Sequence, residues 1–275
     1  MKQGLKKILI GMLAFLFFLI SKSWAVYIYD NFSSRDNWSL NGNATIVPMG
    51  FGVLTNYYFQ AGSMWYKQAF DLSRYSTLKA DFDINLGFNG YGEFGADGVT
   101  FAIIDTKNGL NALGDIGGGL GYKGILNSLA VEFDTYQNVG SSGLPLDPSG
   151  DHIGIDKDGS VISLVTADVP VIDGIPLLED NRFHHVTILL DLTTGKITVL
   201  LDGVTYIKDY KINNFVPFKA YIGFTGGTGY YYNYQKVDNL KLTLTPIAVP
   251  IPGSALLLAG GLIGFLGIKR FRERV

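Results

Sequence analysis

The chain has 275 residues, of which 47% are hydrophobic and only 17% are charged, and it contains no cysteine. This composition excludes an intrinsically disordered protein, and the lack of cysteine excludes disulfides, a thiolate metal site and a cysteine nucleophile. Eight of the 22 basic residues but only one of the 24 acidic residues lie in the first 25 and last 30 positions, so residues 26–245 carry 14 basic and 23 acidic side chains, a net charge of −9. An acidic body argues against nucleic acid as a partner, because that affinity depends on neutralising phosphate charge.

Residues 1–25 have the composition of a secretory signal peptide. Three lysines in the first seven residues precede a run from Ile8 to Ile20 that has no charged or polar side chain. This run is too short to cross a bilayer comfortably, and small residues stand before a cleavage point after Ala25. We expect the segment to direct export and to be removed.

Residues 26–245 show the two-residue periodicity of β-strands and no long helical pattern. Apolar and polar residues alternate without error from Leu78 to Leu86, and shorter alternating runs cover residues 197–201 and 240–244. Turn pairs that favour tight hairpins separate such runs, at Asn89-Gly90, Asp158-Gly159, Asp173-Gly174 and Asp202-Gly203. With no change in composition along this body, the pattern predicts one all-β domain, a β-sandwich.

Two glycine-containing segments lie in the first half of the body. Residues 95–98 (Gly-Ala-Asp-Gly) place Asp97 before an apolar run, which on its own indicates a turn that leads into a core strand. Residues 117–121 (Gly-Gly-Gly-Leu-Gly) leave backbone N–H groups uncovered. No helix is predicted after them, so a phosphate-binding loop is disfavoured.

Residues 130–138 (Ala-Val-Glu-Phe-Asp-Thr-Tyr-Gln-Asn) form the most informative segment. Side chains two positions apart share one face of a strand, so Glu132 and Asp134 project together, while Val131 and Phe133 point the other way into a core. Two adjacent carboxylates repel each other unless a proton or a cation lies between them. The pattern therefore predicts a bound cation.

Further donors follow at Asn138, Asp147, Asp151 and His152. Carboxylate, amide and carbonyl oxygens suit Ca²⁺, whereas an imidazole added to carboxylates suits a transition ion such as Mn²⁺. The loop at residues 139–150 is rich in Gly, Ser and Pro and has no strand or helix pattern. A bound metal would order such a loop.

Taken together and in order, these motifs resemble the legume-type (L-type) lectins. The motifs are Ala-Asp-Gly, Gly-Gly-x-Leu-Gly, Val-Glu-Phe-Asp-Thr-Tyr-x-Asn, Asp-Pro, His-Ile-Gly-Ile-Asp and Gly-Phe-Thr-Gly-Gly-Thr-Gly, and they lie between Ala96 and Gly229. The wider resemblance covers most of residues 26–245. It implies a concanavalin-like jelly-roll β-sandwich with paired Ca²⁺ and Mn²⁺ beside a shallow sugar site, and no enzymatic activity.

The resemblance also implies the metal ligands. Glu132 and His152 would bind Mn²⁺, Asp134 and Asp147 would bridge both ions, and Asn138 with the Tyr136 carbonyl oxygen would complete the Ca²⁺ site. The stretch from Asn138 to Asp147 is a few residues longer than in plant members of the family. Asp151 therefore stays an alternative to Asp147.

The implied sugar ligands are Asp97, Gly118, Tyr136 and Asn138. Asp97, after a cis peptide bond with Ala96, would accept hydrogen bonds from two hydroxyls, and the Gly118 N–H and the Asn138 amide would donate to the same sugar. The Tyr136 ring would pack on the apolar sugar face. Ca²⁺ would act by fixing Asn138 and, through the loop, Asp97.

Two points of this alignment stay open. A shift by one residue would put Gly117 or Gly119 in place of Gly118. The segment Thr225–Tyr234 matches the family only at its start, so the sugar is not specified. Its tyrosines either extend the binding face for a polysaccharide or pack at a strand edge.

Residues 246–275 are predicted to be a membrane-associated sorting signal. Three prolines precede Gly253–Ile268, in which Ser254 is the one polar side chain, and a basic cluster follows, which favours a cytoplasmic C-terminus. The segment resembles the PEP-CTERM signals of Gram-negative bacteria, with Ile251 where the family name puts Glu. It implies processing by exosortase-type machinery and a place in the cell envelope or extracellular matrix. A plain single-span anchor is the alternative.

The same fold could serve two other functions. Laminarinase-type glucanases carry a Glu-x-Asp-x-x-Glu strand motif, but here Gln137 stands at the third position and cannot act as a general acid. A structural matrix protein without a sugar site is disfavoured by the acidic set. The neighbouring His184 and His185 point to opposite strand faces and are expected to be structural. The sequence thus predicts an exported, Ca²⁺- and Mn²⁺-dependent lectin, not an enzyme, for a glycan or exopolysaccharide.

Overall fold

The computed structural model describes residues 24–87, 95–140 and 147–248. Nearly all of the predicted signal peptide and sorting segment, together with the Asn89-Gly90 turn, lies outside these residues, so those predictions stay as they are. In the described ranges, no helix has both the length and the apolar character needed to cross a membrane.

β-Strands dominate the described chain. They are β1 (Val26–Asp30), β2 (Trp38–Gly42), β3 (Thr45–Val47), β4 (Phe51–Thr55), β5 (Ala61–Tyr66), β6 (Phe70–Asp71), β7 (Tyr75–Gly87), β8 (Gly98–Asp105), β9 (Ser128–Asp134), β10 (His152–Lys157), β11 (Val165–Asp168), β12 (Val171–Ile172), β13 (Ile175–Pro176), β14 (His184–Asp191), β15 (Lys196–Leu201), β16 (Val204–Lys211), β17 (Lys219–Gly227) and β18 (Tyr234–Pro246). Short 3₁₀ helices cover Leu72–Arg74, Thr106–Asn108, Gly117–Gly119 and Leu177–Glu179.

The strands form two large antiparallel sheets. The first has the order β16-β15-β14-β7-β18-β4-β3, with β1 also paired to β18. The second has the order β11-β10-β9-β8-β17-β5-β2, with β6 paired to β17, and β12 and β13 form a separate small hairpin. Strands distant in sequence are neighbours in both sheets. The predicted all-β, concanavalin-like jelly-roll sandwich is confirmed.

The main core lies between the two sheets. On β7 the alternation seen in the sequence is confirmed, because every apolar position from Leu78 to Leu86 is at most 1% exposed. The Phe82 ring of this strand lies 5.3 Å from the ring of Phe101, 5.0 Å from that of Phe224 and 6.3 Å from that of Phe133. Three strands of the second sheet thus pack on one aromatic side chain of the first.

The outer face of the second sheet is covered as well. Trp65, Tyr122 and Ile125 form a second apolar cluster there with Ala130 of β9. Consequently every residue of β9 is buried, and the face that carries Glu132 and Asp134 is enclosed rather than exposed to solvent. A polar strand face in such a place requires partners for its charges.

Three of the predicted tight turns have the expected backbone. Both residues of Asp158-Gly159, Asp173-Gly174 and Asp202-Gly203 have positive φ, between 50° and 82°. Asp and Gly adopt this left-handed region more readily than most residues do, which makes such pairs frequent in hairpins.

The two neighbouring histidines point to opposite sides of β14, as predicted. His184 is buried, with Nε2 2.8 Å from Asp180 and Nδ1 2.6 Å from Asp202. His185 is exposed and lies 2.8 Å from Asp83 of β7. Both interactions are within the first sheet or at its edge, which agrees with a structural role.

Candidate functional site

Strand pairing brings three donor side chains together. His152, at the start of β10, directly opposes Asp134 at the end of β9, and Gly154 opposes Glu132. Ligand atoms of Glu132, Asp134 and His152 all lie within 4.8 Å of one another, and each residue is at most 2% exposed. His152 Nε2 lies 3.2 Å from Glu132 Oε1. All three residues were predicted donors, and the register of β9 and β10 places the His152 imidazole beside the two carboxylates.

The space for this cluster depends on Gly154. A Cβ atom at this position would lie 2.2 Å from Glu132 Oε1 and 2.1 Å from Ser163 Oγ. Ser163 Oγ donates to Glu132 Oε1 and also contacts Asp156 Oδ1 at 2.8 Å. Asp156 is completely buried.

Sequence reasoning missed Ser163 and Asp156. Asp156 could have been found, since His152, Gly154 and Asp156 follow the two-residue period of one strand face. Ser163 lies in the connection after β10 and carries no comparable signal. Both belong to the surroundings of the acidic cluster.

The electrostatics of the cluster favour a bound cation. Burial raises the pKa of Asp134 well above its ordinary range, and the negative charge of Glu132 raises it further. Burial lowers the pKa of His152, but the hydrogen bond and charge of Glu132, together with the charge of Asp147 and a backbone hydrogen bond with Ser149, outweigh burial, so the net shift is upward. Like charges packed in a buried site are costly, and a cation among them removes that cost. Carboxylates with one imidazole form a donor set that fits a transition ion.

Asp147 extends the acidic cluster toward the following loop. Its Oδ2 accepts a hydrogen bond from the Asn138 N–H at 2.7 Å, and its carbonyl oxygen accepts one from Gln137 Nε2 at 3.1 Å. Burial raises the pKa of Asp147, and the nearby Glu132 acts in the same direction. The structure therefore places Asp147, the first of the two alternatives, beside Asn138.

Asp151 lies in a different setting. It lines an open cavity of about 450 Å³ together with Tyr136, Tyr231 and Glu179. Glu179 Oε1 accepts the Gly95 N–H, while Oε2 is buried and has no hydrogen-bond partner. Burial, followed by the charge of Asp151, raises the pKa of Glu179 to about 8. No sequence motif pointed to Glu179, which lies in the one-turn 3₁₀ helix Leu177–Glu179.

The backbone of Asp97 is held between the two ends of neighbouring strands. The Ala96-Asp97 peptide bond is cis, as the resemblance implied. The Asp97 N–H donates to the Gly227 carbonyl at 3.1 Å, and the Thr135 N–H donates to the Asp97 carbonyl at 2.8 Å. The Asn233 N–H also donates to the Ala96 carbonyl at 3.1 Å. The position of Asp97 is thus coupled to Thr135, the residue that follows β9, the strand that carries Glu132 and Asp134.

The Asp97 carboxylate is available as an acceptor. Oδ1 lies 3.4 Å from the Asn138 Nδ2, and Oδ2 is buried without a hydrogen-bond partner. Burial raises the pKa of Asp97 to about 6, against the opposing effect of the Asn138 amide. Cβ atoms added at Gly117 and Gly229 would lie 3.8 Å and 3.3 Å from Oδ2, so bare backbone surrounds this oxygen.

The glycine-rich segment presents one free donor. The N–H groups of Gly117 and Gly119 donate to backbone carbonyls at 3.0 and 3.1 Å, whereas the Gly118 N–H makes no hydrogen bond to a described residue. A Cβ atom at Gly118 would lie 2.5 Å from Asn138 Oδ1. Of the three possible glycines, Gly118 therefore combines a free N–H with direct contact to Asn138.

Tyr136 completes the predicted set. Its side chain is 38% exposed, and its ring packs on that of Tyr231 with centroids 5.8 Å apart and planes inclined by 28°. The Tyr136 N–H donates to Asp134 Oδ1 at 2.7 Å, so the same residue contacts the acidic cluster through its backbone. The structure thus gathers all four predicted sugar ligands next to the predicted metal ligands.

Comparisons with known proteins agree with this geometry. The model of the family described as the legume lectin beta-barrel domain matches residues 29–241. A putative L-type lectin-domain containing receptor kinase I.10 of Arabidopsis thaliana is 25% identical over 86% of this chain and 41% of its own length. The pesticidal crystal protein Cry22Aa of Bacillus thuringiensis is 30% identical over 45% of this chain and 15% of its own length. The chain thus spans less than half the length of either relative.

Solved lectin structures share the fold. The basic winged bean lectin with Tn-antigen superimposes with a TM-score of 0.67 at 22% identity, covering 82% of this chain and 100% of that one. The Bauhinia forficata lectin in complex with GalNAc gives a TM-score of 0.66 at 23% identity, covering 81% and 99%. With the match over residues 29–241, these findings show that the chain belongs to the legume (L-type) lectin family.

Proposed function

We propose that this protein is an exported carbohydrate-binding lectin whose sugar site depends on Ca²⁺ and a transition ion such as Mn²⁺. The observation that carries the proposal is the contact between Asp97, Asn138 and Gly118 directly beside the buried cluster of Glu132, Asp134 and His152. Among the residues that the structure describes, neither Asp97 Oδ2 nor the Gly118 N–H has a hydrogen-bond partner. A sugar hydroxyl can donate to the Asp97 carboxylate and accept from the Gly118 N–H.

Each polar group would meet one part of a sugar. Asp97 would accept hydrogen bonds from hydroxyls, while the Gly118 N–H and the Asn138 amide would donate. The half-exposed Tyr136 ring would cover the apolar C–H face of the sugar. A sugar, unlike water, has an apolar face as well as hydroxyl groups. A site that combines paired donors and acceptors with an apolar patch therefore favours a sugar over water.

The metal ions would hold this arrangement rather than touch the sugar. Glu132 and His152 would bind the transition ion, Asn138 and the Tyr136 carbonyl oxygen would bind Ca²⁺, and Asp134 and Asp147 would contribute to both sites. The bound ions would neutralise the buried acids and fix Asn138, and through Thr135 they would steady the backbone of Asp97.

A glucanase activity is not favoured. Gln137 stands where that enzyme class carries its acid, and its amide donates to the carbonyl oxygens of Asp147 and Pro148 at 3.1 and 3.2 Å. The side chain therefore holds the loop instead of facing a substrate. The lectins that share the fold include one solved with galactose and one solved with GalNAc, which makes these two sugars the first probes.

A glycan array with the purified protein tests the proposal. We expect binding that disappears with EDTA and returns on adding Ca²⁺ and Mn²⁺. Asp97→Asn should abolish binding while elemental analysis still finds the metals, and the exposed Asp36→Asn should behave as the wild type. A folded protein that binds metal but no glycan on a broad array would leave the matrix-protein alternative, and loss of metal in Asp97→Asn would refute the role given to Asp97.

We also propose that residues 1–25 and 246–275 direct export and sorting in a Gram-negative bacterium. The support is in the sequence: a basic, apolar start and a Pro-rich, apolar, basic end. Mass spectrometry of the protein recovered from its host should show an N-terminus at Val26 and loss of the C-terminal segment. A full-length mass for protein in the cell envelope would contradict this.

A further inference from the structure

Four aromatic side chains form a continuous exposed row, here called the aromatic strip: Tyr136, Tyr231, Tyr230 and Phe59. Neighbouring ring centroids along the strip lie 5.8, 5.7 and 6.3 Å apart. The four residues are 38%, 39%, 76% and 59% exposed in that order. Exposed apolar surface that is contiguous in this way commonly marks a binding face.

The aromatic strip begins at the proposed sugar site. Tyr136 is one of the proposed sugar ligands, and Gly229, which precedes Tyr230, lies against the Asp97 carboxylate. From there the strip continues onto Phe59, which comes from a different loop, between β4 and β5. The row therefore extends the site in one direction, beyond the reach of a single sugar.

The two loops that carry Phe59 and the pair Tyr230–Tyr231 are joined by hydrogen bonds. The Phe59 N–H donates to the Gly229 carbonyl at 3.0 Å, and the Thr228 N–H donates to the Gln60 carbonyl at 2.9 Å. Thr228 Oγ1 donates to the Tyr57 carbonyl at 2.6 Å. Rings held on a fixed backbone lose little conformational freedom when a ligand binds.

Phe59 is the most informative member of the strip. Its φ of +53° is in the left-handed region, which a bulky residue adopts at a cost, and its side chain is more than half exposed. Neither core packing nor turn preference explains a phenylalanine here. Without a hydroxyl group, its ring can contribute only an apolar contact.

We propose that the aromatic strip is an extended subsite for successive residues of a neutral, unbranched oligosaccharide or polysaccharide. The C–H faces of pyranose rings pack on aromatic rings, so a row of rings suits a chain of sugars. Neither cation–π pair found in the described residues involves the strip, and the body has a net charge of −9, which disfavours a polyanionic chain. This inference rests on the proposed sugar site and adds the polymer to it.

The test compares single sugars with oligomers of the same sugar. Calorimetry would use galactose, mannose and glucose, each against linear oligomers of two to six units. For the monosaccharide that binds, we expect the affinity to rise with chain length. Phe59→Ala and Tyr230→Ala should each weaken the longest oligomer by about fivefold to tenfold and leave the monosaccharide within about twofold. Tyr27→Ala, an exposed aromatic on β1, is the matched control and should change neither.

The outcomes separate this inference from the proposed function. If the monosaccharide binds but longer oligomers gain nothing, or if both variants bind the longest oligomer as the wild type does, the extended subsite is refuted and the sugar site stands. If no sugar or oligomer binds to the metal-loaded protein, both proposals fail. If sedimentation shows a self-association that both variants abolish while oligomer affinity is unchanged, the strip is a protein interface and the inference is overturned.

Discussion

At the scale of single residues, the space left by Gly118 is as important as the groups around it. Its free N–H and the Asn138 side chain can face one ligand only because no Cβ separates them. Asp97 meets the same amide from the other side. Gly118, Asn138 and Asp97 are far apart in sequence but form one polar surface. A methyl group added at Gly118 should therefore disturb this surface.

Gly118→Ala should weaken sugar binding by about fivefold to 150-fold. The added Cβ would lie 2.5 Å from Asn138 Oδ1, so the amide must move away from Asp97. Overpacking of this kind costs about 1–3 kcal/mol, which corresponds to the expected loss. Calorimetric titration with the sugar found on the array measures it.

Gly150→Ala is the control for that variant, since a Cβ there meets nothing within 4 Å. It should keep the wild-type affinity. Equal affinities for Gly118→Ala and the wild type would show that this glycine does not face the ligand.

Two kinds of sequence information predicted these site residues, namely strand periodicity and the family resemblance. Period-two spacing was enough to predict that Glu132 and Asp134 project together, because strand geometry fixes which side chains share a face. No local rule links Asp97 or Gly118 to them, and only the family resemblance did so. Glu179 had no signal of either kind, since its role comes from a tertiary contact with the Gly95 N–H.

At the scale of elements, the 3₁₀ helix Leu177–Glu179 carries a buried acid, Glu179, that should make the stability of the fold depend on pH. The pKa of Glu179 is about 8 in the fold, against an ordinary value of 4.5, chiefly because of burial. The folded state thus binds this proton more tightly than the unfolded state. The stabilisation that this tighter proton binding contributes is fully present below pH 4.5 and is lost as the pH rises toward 8.

Glu179→Gln should remove that loss. The amide oxygen can still accept the Gly95 N–H, and the side chain stays neutral at every pH. The free energy of unfolding of the variant should match the wild type near pH 4.5 and exceed it near pH 8 by on the order of a few kcal/mol. Urea unfolding in metal-free buffer across this range provides the comparison, and parallel pH profiles for the two proteins would contradict the assignment.

The strands themselves were largely predictable, and their partners were not. Alternation located β7, β15 and β18, since each has one face in the core. The burial of β9 on both faces was not foreseen, because its outer cover comes from the distant Trp65 and the loop of Tyr122. Packing against residues that are distant in sequence produces no periodic pattern within the strand itself.

At the scale of the whole molecule, metal removal should lower the thermal stability. A ligand present at a hundred times its dissociation constant stabilises the folded state by about 2.7 kcal/mol, and for a domain of this size each kcal/mol shifts Tm by about 2–4 °C. Dialysis against EDTA should therefore lower Tm by about 5–10 °C per ion. Calorimetry before and after adding back Ca²⁺ and Mn²⁺ measures the change.

Glu132→Gln is the matched variant for the metal experiment. Its Tm should respond much less to Mn²⁺ than that of the wild type, because one charged donor of the cluster is gone. A wild-type Tm that EDTA leaves unchanged, in protein shown by elemental analysis to have lost its metal, would exclude a stabilising role for the ions.

The register between β9 and β10 has a consequence for how the chain reaches its native state. His152 opposes Asp134 and Gly154 opposes Glu132. A shift of this pairing by one residue would bring Ile153 opposite Asp134 and turn the His152 side chain toward the apolar core. Chains paired in the shifted register would therefore lack a site for the proposed ion. The ion would stabilise only the chains with the native register. Divalent ions, if bound as proposed, would in this way select the native alignment of the two strands as the protein folds.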